Sequence, residues 1–250
     1  SFETYFNLLP HAKYREYCGL DSAELHLDAE GIYTVKFYHR KPNGEKVCLA
    51  EHPCSGRCAL PLPFPEGGGY TFFEVTGNCT ISGGSWQARP KNTRRVKIAV
   101  VICTYRREQY VAANLARIAD GIAQDGIWKE RLHVYVIDNA GTLDKNGICG
   151  LPEGGFFEIV KNRNLGGSGG FARGMYEADG DGTFTHILLM DDDVSFDFAL
   201  LKRTWSLLSC LTEEHSQAAV GGAMLVMERP CVQHEFGGKF DGLIFRSVNG

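Results

Sequence analysis

Three consecutive carboxylates, Asp191, Asp192 and Asp193, close the stretch THILLMDDD at residues 185–193. Like charges this close repel, and more strongly where partly buried. A cation among them relieves that repulsion. Hard carboxylate oxygens suit Mg²⁺ or Mn²⁺, ions that usually bridge to substrate phosphates. Alternate residues of an extended chain point the same way, so Asp191 and Asp193 can face one ion while Asp192 faces elsewhere. A helix N-cap is the competing explanation: Asp193 can cap a helix starting near Ser195. Capping accounts for one or two of the three carboxylates. Ahead of them, Ile187, Leu188, Leu189 and Met190 form a short apolar run that predicts a strand buried on both faces.

Other polar clusters follow apolar runs in the same way. Val96 to Cys103 predicts a buried strand ending in Thr104-Tyr105-Arg106-Arg107, with a helix from about 108 to 124 behind it. Leu132 to Ile137 ends in Asp138-Asn139, and Phe156 to Val160 is followed by Asn162 to Gly170. That last segment is expected as a glycine loop leading to a short helix with Phe171 and Met175 on one face. Another helix carries Phe198, Leu201, Trp205, Leu208 and Leu211, and Ala218 to Met227 is expected as a fifth strand. Strand and helix alternate, which predicts an α/β, Rossmann-like, mostly parallel sheet with right-handed crossovers. Ligands of such sheets bind beyond the carboxyl ends of the strands, where all these clusters fall.

Gly167-Ser168-Gly169-Gly170-Phe171-Ala172 matches the dinucleotide fingerprint G-x-G-x-x-A. The fingerprint belongs after the first strand, and this match follows the third. The acidic residue expected about 20 positions on is replaced by three carboxylates, for which a dehydrogenase has no use. What the segment retains is close backbone approach at the glycines, an anion-favouring helix N-terminus and a positive charge on Arg173. A merely flexible loop is the alternative.

The chain has 250 residues, a net charge of −4, 44% hydrophobic and 22% charged residues, an ordinary globular composition without a strong field for nucleic acid or anionic membrane. No apolar run approaches the ~20 residues that span a bilayer. The start SFETYFNLLPH lacks a signal peptide's basic and apolar regions and an initiator Met, which suggests a fragment. Nine cysteines without a secretion signal predict reduced thiols in cytoplasm. Cys54 and Cys58, with Cys48, His52 and Cys79 nearby, leave a zinc site open on loose spacing.

Residues 1–89 read as an antiparallel β-sandwich. A strand at Leu25 and Leu27, a turn at Asp28-Ala29-Glu30-Gly31 and a strand Ile32 to Arg40 precede the hairpin signal Pro42-Asn43-Gly44 and the return strand Lys46 to Glu51. A Pro-rich loop through Pro61, Pro63 and Pro65 and a last strand, Tyr70 to Thr76, follow. Tyr70, Phe72 and Phe73 can stack on sugar, with core packing as the alternative. Residues 90–95 fall in the basic, Pro-containing segment ARPKNTRR and are assigned as linker, and 96–250 as the second domain.

The segments VVICTYRRE, VIDNA, NRNLGGSGGFARG and LLMDDDV, spaced as here, resemble the inverting GT-A glycosyltransferases of family 2. NLGGSGGFARG with MDDD resembles most the bacterial galactofuranosyltransferases that build galactan, and TYFNLLPHAKYREY and YTFFEV resemble their β-sandwich domain. The resemblance implies a hexosyltransferase of cell-wall polysaccharide biosynthesis. Its donor would be UDP-galactofuranose and its acceptor a glycan, lipid-linked in many members. It implies Mn²⁺ or Mg²⁺ on Asp191 and Asp193, and Asp192 beside the donor sugar or ribose. Thr104 and Arg106, and Asp138 and Asn139, would lie toward uridine. Asn164 precedes the glycine segment Gly166, Gly167 and Ser168, with Arg173 nearby on the donor side. It implies self-assembly of the full-length protein and a cytoplasmic location, peripheral at the inner membrane. The family's catalytic base, His metal ligand and C-terminal helical region would lie beyond Gly250, so weak donor binding and poor transfer are expected. His234-Glu235 is assigned an acceptor-side or structural role rather than that of base. A non-catalytic carbohydrate-binding protein and an NAD-dependent oxidoreductase are the alternatives.

Overall fold

The computed structural model describes residues 1–4, 7–91, 93–143, 155–235 and 238–247. The chain divides into two compact units, Ser1–Arg94 with Leu207–Gln217 and Arg95–Ser206 with Ala218–Gly250. No helix among the described residues is long and apolar enough to cross a membrane.

The first unit contains helix α1 (His11–Cys18) and strands β1 (Ser22–Arg40), β2 (Lys46–Ser55), β3 (Cys58–Pro63) and β4 (Tyr70–Gln87). All pairings are antiparallel to β1. β4 follows one edge of β1 from Glu24 to Arg40, while β2 and β3 share the other edge end to end. Every second residue of β1, from Ala23 to Ala29 and again from Tyr33 to His39, is buried, so one face carries the core. Phe2 stacks on Phe73 at 4.5 Å between ring centroids, and Leu9 pairs with Thr71 on that sheet.

This arrangement corrects four expectations. A sandwich needs a second facing sheet, and the described residues of this unit hold one sheet. Its alternating burial pattern fits one covered and one solvated face. No turn interrupts β1 at residues 28–31. The register shifts there by a bulge, and Gly31 takes φ +103° where a Cβ would sit 2.2 Å from the Asn78 carbonyl oxygen. Pro61 and Pro63 lie in β3, opposite Glu24 and Ser22. An edge strand tolerates prolines whose missing N–H faces outward. Residues 11–18 are helical, ended by Gly19 at φ +62° with its N–H bonded 3.0 Å to the Arg15 carbonyl. The expected hairpin at Pro42-Asn43-Gly44 is present between β1 and β2.

The second unit begins with β5 (Ile98–Thr104), α2 (Glu108–Gln124), α3 (Trp128–Arg131), β6 (Leu132–Asp138) and β7 (Phe157–Lys161). It continues through α4 (Gly166–Asp181), β8 (His186–Asp191) and α5 (Ala199–Cys210), the last crossing into the other unit, to β9 (Met224–Val226), β10 (Arg229–Glu235), β11 (Gly238–Phe240) and β12 (Phe245–Ser247). The sheet order is β7-β6-β5-β8, and all its strands are parallel. The chain moves from β5 outward through β6 to β7, then returns to the far side of β5 as β8. The order therefore reverses beside β5, and the crevice of a doubly wound sheet opens at such a reversal.

The expected fifth strand does not join this sheet. β9 is three residues long and pairs with β10, and Gly221-Gly222 breaks the apolar run before it. β8 is consequently an edge strand, with Ile187 and Leu189 exposed instead of buried on both faces.

The glycine segment is not a loop. α4 begins at Gly166, and its buried face is Gly170, Gly174 and Ala178, one residue per helical turn. A Cβ at Gly170 would meet Cys103 Sγ at 2.1 Å, and one at Gly174 would meet Val101 Cγ1 at 2.2 Å. The glycines thus let α4 lie against β5. Phe171 packs on the cluster of Ala99, Val101, Tyr135, Ile137, Val160 and Ala178, while Met175 faces solvent.

Gly174→Ala should therefore lower stability in urea unfolding by roughly 1–3 kcal/mol, because Val101 is fully buried and cannot move aside. Gly180→Ala, in open space on the same helix, should raise it by up to about 1 kcal/mol. Stability should also depend on pH through His11, fully buried with neither ring nitrogen hydrogen-bonded and its ring 4.9 Å from that of His39. Burial, with the neighbouring His39 charge, pushes the His11 imidazole below its ordinary value. The unfolded chain then binds a proton that the folded chain refuses. Stability is full above the ordinary value of about 6.5 and falls as pH drops below it. Thermal unfolding between pH 7.5 and 5 should show this slope, and His11→Leu should flatten it.

Candidate functional site

β5 ends at Thr104 and β8 at Asp191, side by side in the sheet, with Cys103 paired to Asp191. Thr104 is buried and its hydroxyl donates to Asp192 Oδ2 at 2.6 Å. Arg107, at the entry to α2, donates to Asp192 Oδ1 at 3.2 Å and also binds Asp193. Asp192 is thereby turned inward, 6% exposed, while Asp191 and Asp193 face solvent. The two flanking carboxylates hold Arg107 firmly protonated, the hydrogen bond it donates to Asp193 first and the Asp192 charge next.

Arg106 adopts φ +56°, the one left-handed non-glycine backbone among the described residues. That conformation costs a side-chain-bearing residue about 1 kcal/mol or more and clusters at functional sites. The Arg106 guanidinium stacks over Tyr105, with 5.2 Å to the ring centroid, and Arg107 is the arginine that reaches the acidic triplet. Sequence reasoning selected Arg106 of this pair. Asn114 was also missed: fully buried on α2, its amide donates to the Asp192 backbone carbonyl at 2.9 Å. Its signal was a polar residue inside the apolar stripe of Val111, Leu115 and Ile118.

Asp138 and Asn139 end β6 and face inward. Asp138 is fully buried, and its carboxylate accepts the backbone N–H of Ala140 and Gly141 at 3.0 and 2.9 Å and of Leu143 at 2.8 Å. It holds the turn after β6. Asn139 donates to the Gly166 carbonyl at 3.3 Å and accepts from Asn162 at 2.8 Å, tying β6 to the start of α4. The adjacent Cys103 thiol is pushed up by burial, partly offset by its bond from Asn139.

Asn164 Oδ1 accepts the Gly166 N–H at 3.1 Å, and Gly166, Gly167 and Ser168 are exposed. Nothing stands within 4 Å of a Cβ built at Gly166 or Gly167, so a ligand can reach their backbone. Arg173 points along α4 and pairs with Glu177. The structure thus brings Thr104, Arg107, Asp192 and Asp193 into one network and links Asn139, Asn162 and Gly166 into a second. A cavity of about 670 Å³ runs along α2 and residues 195–202, lined by Arg117, Asp120, Asp197 and Lys202 among others, and contains none of the metal- or donor-site residues expected from sequence.

A divalent cation can be judged against the donors present. Asp191 offers an exposed carboxylate with no ion pair among the described residues, and Asp193 offers a second, shared with Arg107. No group of three or more His, Cys, Asp and Glu side chains is gathered among the described residues. Two outward hard oxygens suit Mg²⁺ or Mn²⁺, which takes one or two carboxylates and completes its shell with phosphate and water. They do not make a closed cage. The thiols do not make one either: Cys54 lies opposite Tyr33 and Cys48 opposite Tyr38, on opposite faces of the sheet, and Cys58 accepts a hydrogen bond from Tyr33 at 3.3 Å.

Residues 1–89 match the family described as galactofuranosyltransferase 2 N-terminal, and residues 99–209 match glycosyl transferase family 2. Over 253 residues the chain is 28% identical to the galactofuranosyltransferase GlfT2 of Mycolicibacterium smegmatis, covering 95% of this chain and 38% of that protein. It is 28% identical to the GlfT2 of Mycobacterium tuberculosis over 98% of this chain and 40% of that protein. The galactofuranosyltransferase GlfT1 of Mycolicibacterium smegmatis is 31% identical over 134 residues, 53% of this chain and 41% of that protein. The chain thus spans about two fifths of the length of these relatives. Both matches run in the order of the two units, and the second covers the sheet whose strand ends carry the acidic triplet: residues 99–209 belong to glycosyltransferase family 2.

Proposed function

We propose that this chain is the donor-binding part of an inverting galactofuranosyltransferase. It would take galactofuranose from UDP-galactofuranose to a glycan acceptor, with Mn²⁺ or Mg²⁺ on the diphosphate. The observation that supports this reading most is the orientation of the acidic triplet: one carboxylate turned in onto Thr104 and Arg107, two turned out at the reversal of strand order. The names of the relatives support the donor and acceptor class. The proposed division is 1–89, 90–95 and 96–250, with the 1–89 boundary supported by the family match.

In this reading Asp191 and Asp193 hold the cation beside the diphosphate. Bound there, a divalent ion supplies Lewis acidity and neutralises charge on the departing UDP. Arg107, already between Asp192 and Asp193, adds a fixed positive charge at the same place. Asp192 accepts hydrogen bonds and keeps Thr104 and Arg107 in position beside the donor sugar or ribose. Thr104 and Arg106 flank the uridine side. Asp138 acts there through the turn it organises, and Asn139 through its hold on Gly166. Gly166, Gly167 and Ser168 present open backbone to anionic oxygens, Asn164 fixes the first of them, and Arg173 adds charge along the helix. The transfer step requires a base for the acceptor hydroxyl, and the proposal assigns none to the residues above.

UDP with Mn²⁺ should raise the melting temperature of this chain more than UDP with chelator, and the paired Asp191→Ala, Asp193→Ala variant should lose that increment. Stabilisation by glycan alone, or by NAD without UDP, would move the reading to a carbohydrate-binding protein or an oxidoreductase. In a transfer assay with UDP-galactofuranose and a galactan acceptor, this chain should turn over about a hundredfold or more below a relative such as GlfT2, since none of the residues assigned above serves as base and a base contributes about that factor. Equal rates would show that the chain carries its own base.

A further inference from the structure

We propose that Asn114, steered by Arg117, is a positioning residue that keeps Asp191 and Asp193 facing outward. The inference rests on the donor reading above. Asn114 occupies the apolar stripe of α2, where a leucine would pack and where a buried amide costs about 1–3 kcal/mol unless it is hydrogen-bonded. Both ends of the amide are bonded. Nδ2 donates to the Asp192 backbone carbonyl at 2.9 Å, and Oδ1 accepts from the Arg117 guanidinium at 2.8 Å. A guanidinium only donates and a carbonyl only accepts, so one amide orientation satisfies both. Arg117 therefore fixes which way Asn114 turns.

The contact falls on the backbone at the centre of the triplet. Asp192 is held twice, by its side chain on Thr104 and Arg107 and by its carbonyl on Asn114. Asp192 and Asp193 form the turn that follows β8, so rotating the peptide after Asp192 would change the direction Asp193 takes relative to Asp191. Loss of Asn114 frees that peptide and leaves every proposed donor contact chemically intact. The residues that would touch the cation or the nucleotide are unchanged. The effect must appear in how well the two outward carboxylates act together.

The test is UDP affinity with Mn²⁺ and with chelator, by calorimetry, on this chain and on Asn114→Leu, Asn114→Gln and Arg117→Met, each with its melting temperature. Asn114→Leu should cut the Mn²⁺-dependent gain in UDP affinity about tenfold while metal-free affinity stays within about twofold. Asn114→Gln, which can still bridge, should recover part of the gain. Arg117→Met, which keeps the bond to Asp192 and loses the steering, should show a smaller loss of the same kind. A lowered melting temperature with an unchanged metal-dependent gain would make Asn114 a packing residue and overturn the inference alone. Wild-type protein without any metal-dependent gain would overturn the donor reading, and this inference with it.

Discussion

Three adjacent carboxylates at the end of a strand repel one another, and the second unit is built around relieving that repulsion. β8 ends at Asp191, and the turn that follows carries Asp192 inward while Asp191 and Asp193 stay exposed. The fold then supplies that side with partners: a threonine from the end of β5, an arginine from the start of α2, and an asparagine from the middle of α2. Of these, only Arg107 carries charge, and it also reaches Asp193. The triplet therefore keeps excess negative charge on its outward side, where a cation and an anionic ligand can meet. A strand, a helix entry and a helix interior must all be in register for this to happen. The parallel pairing of β5 with β8 provides that register.

The same pairing depends on how closely α4 can approach the sheet. Gly170 and Gly174 leave room for Cys103 and Val101, both on β5. With side chains there, the helix would stand off, and the Asn139 contact to Gly166 would open. The glycine-rich segment thus has two tasks separated along one helix. Gly166 and Gly167 are open to a ligand, while Gly170 and Gly174 are occupied by the sheet. A dinucleotide fingerprint asks its last small residue for close packing of this kind, which is why the pattern matches in a segment that belongs to another family.

Much of this was legible from the residues. The four apolar runs that became β5 to β8 stand out from their surroundings and end in polar clusters, so the parallel sheet and the position of those clusters at its strand ends followed. What was not legible has identifiable causes. GGSGG has poor helix propensity, and tertiary packing made it helical anyway. Asp28 to Gly31 carries turn chemistry, but β4 pairs along the whole of β1 and converts the turn to a bulge. Pro61 and Pro63 suggested a loop, and an edge position made them compatible with a strand. The resemblance implied a uridine-side place for Asp138, and the structure adds a task that the residues did not reveal: its short side chain satisfies three backbone donors in the next turn.

The backbone sets the division of tasks between Arg106 and Arg107. Both follow the strand, both are exposed, and sequence offers no ground for preferring one. The left-handed backbone at Arg106 decides it. A residue in that conformation reverses the chain locally, directing its own side chain over Tyr105 and delivering the next one to the acidic triplet. The strain at Arg106 is offset by two charge-assisted contacts at Arg107 that an extended backbone would not provide. The same turn sets the entry of α2, whose second turn brings Asn114 under the Asp192 carbonyl. One unfavourable dihedral thereby aligns both cationic and amide support for the central aspartate. The energetic logic is local strain exchanged for a fixed charge pattern at the sheet's edge.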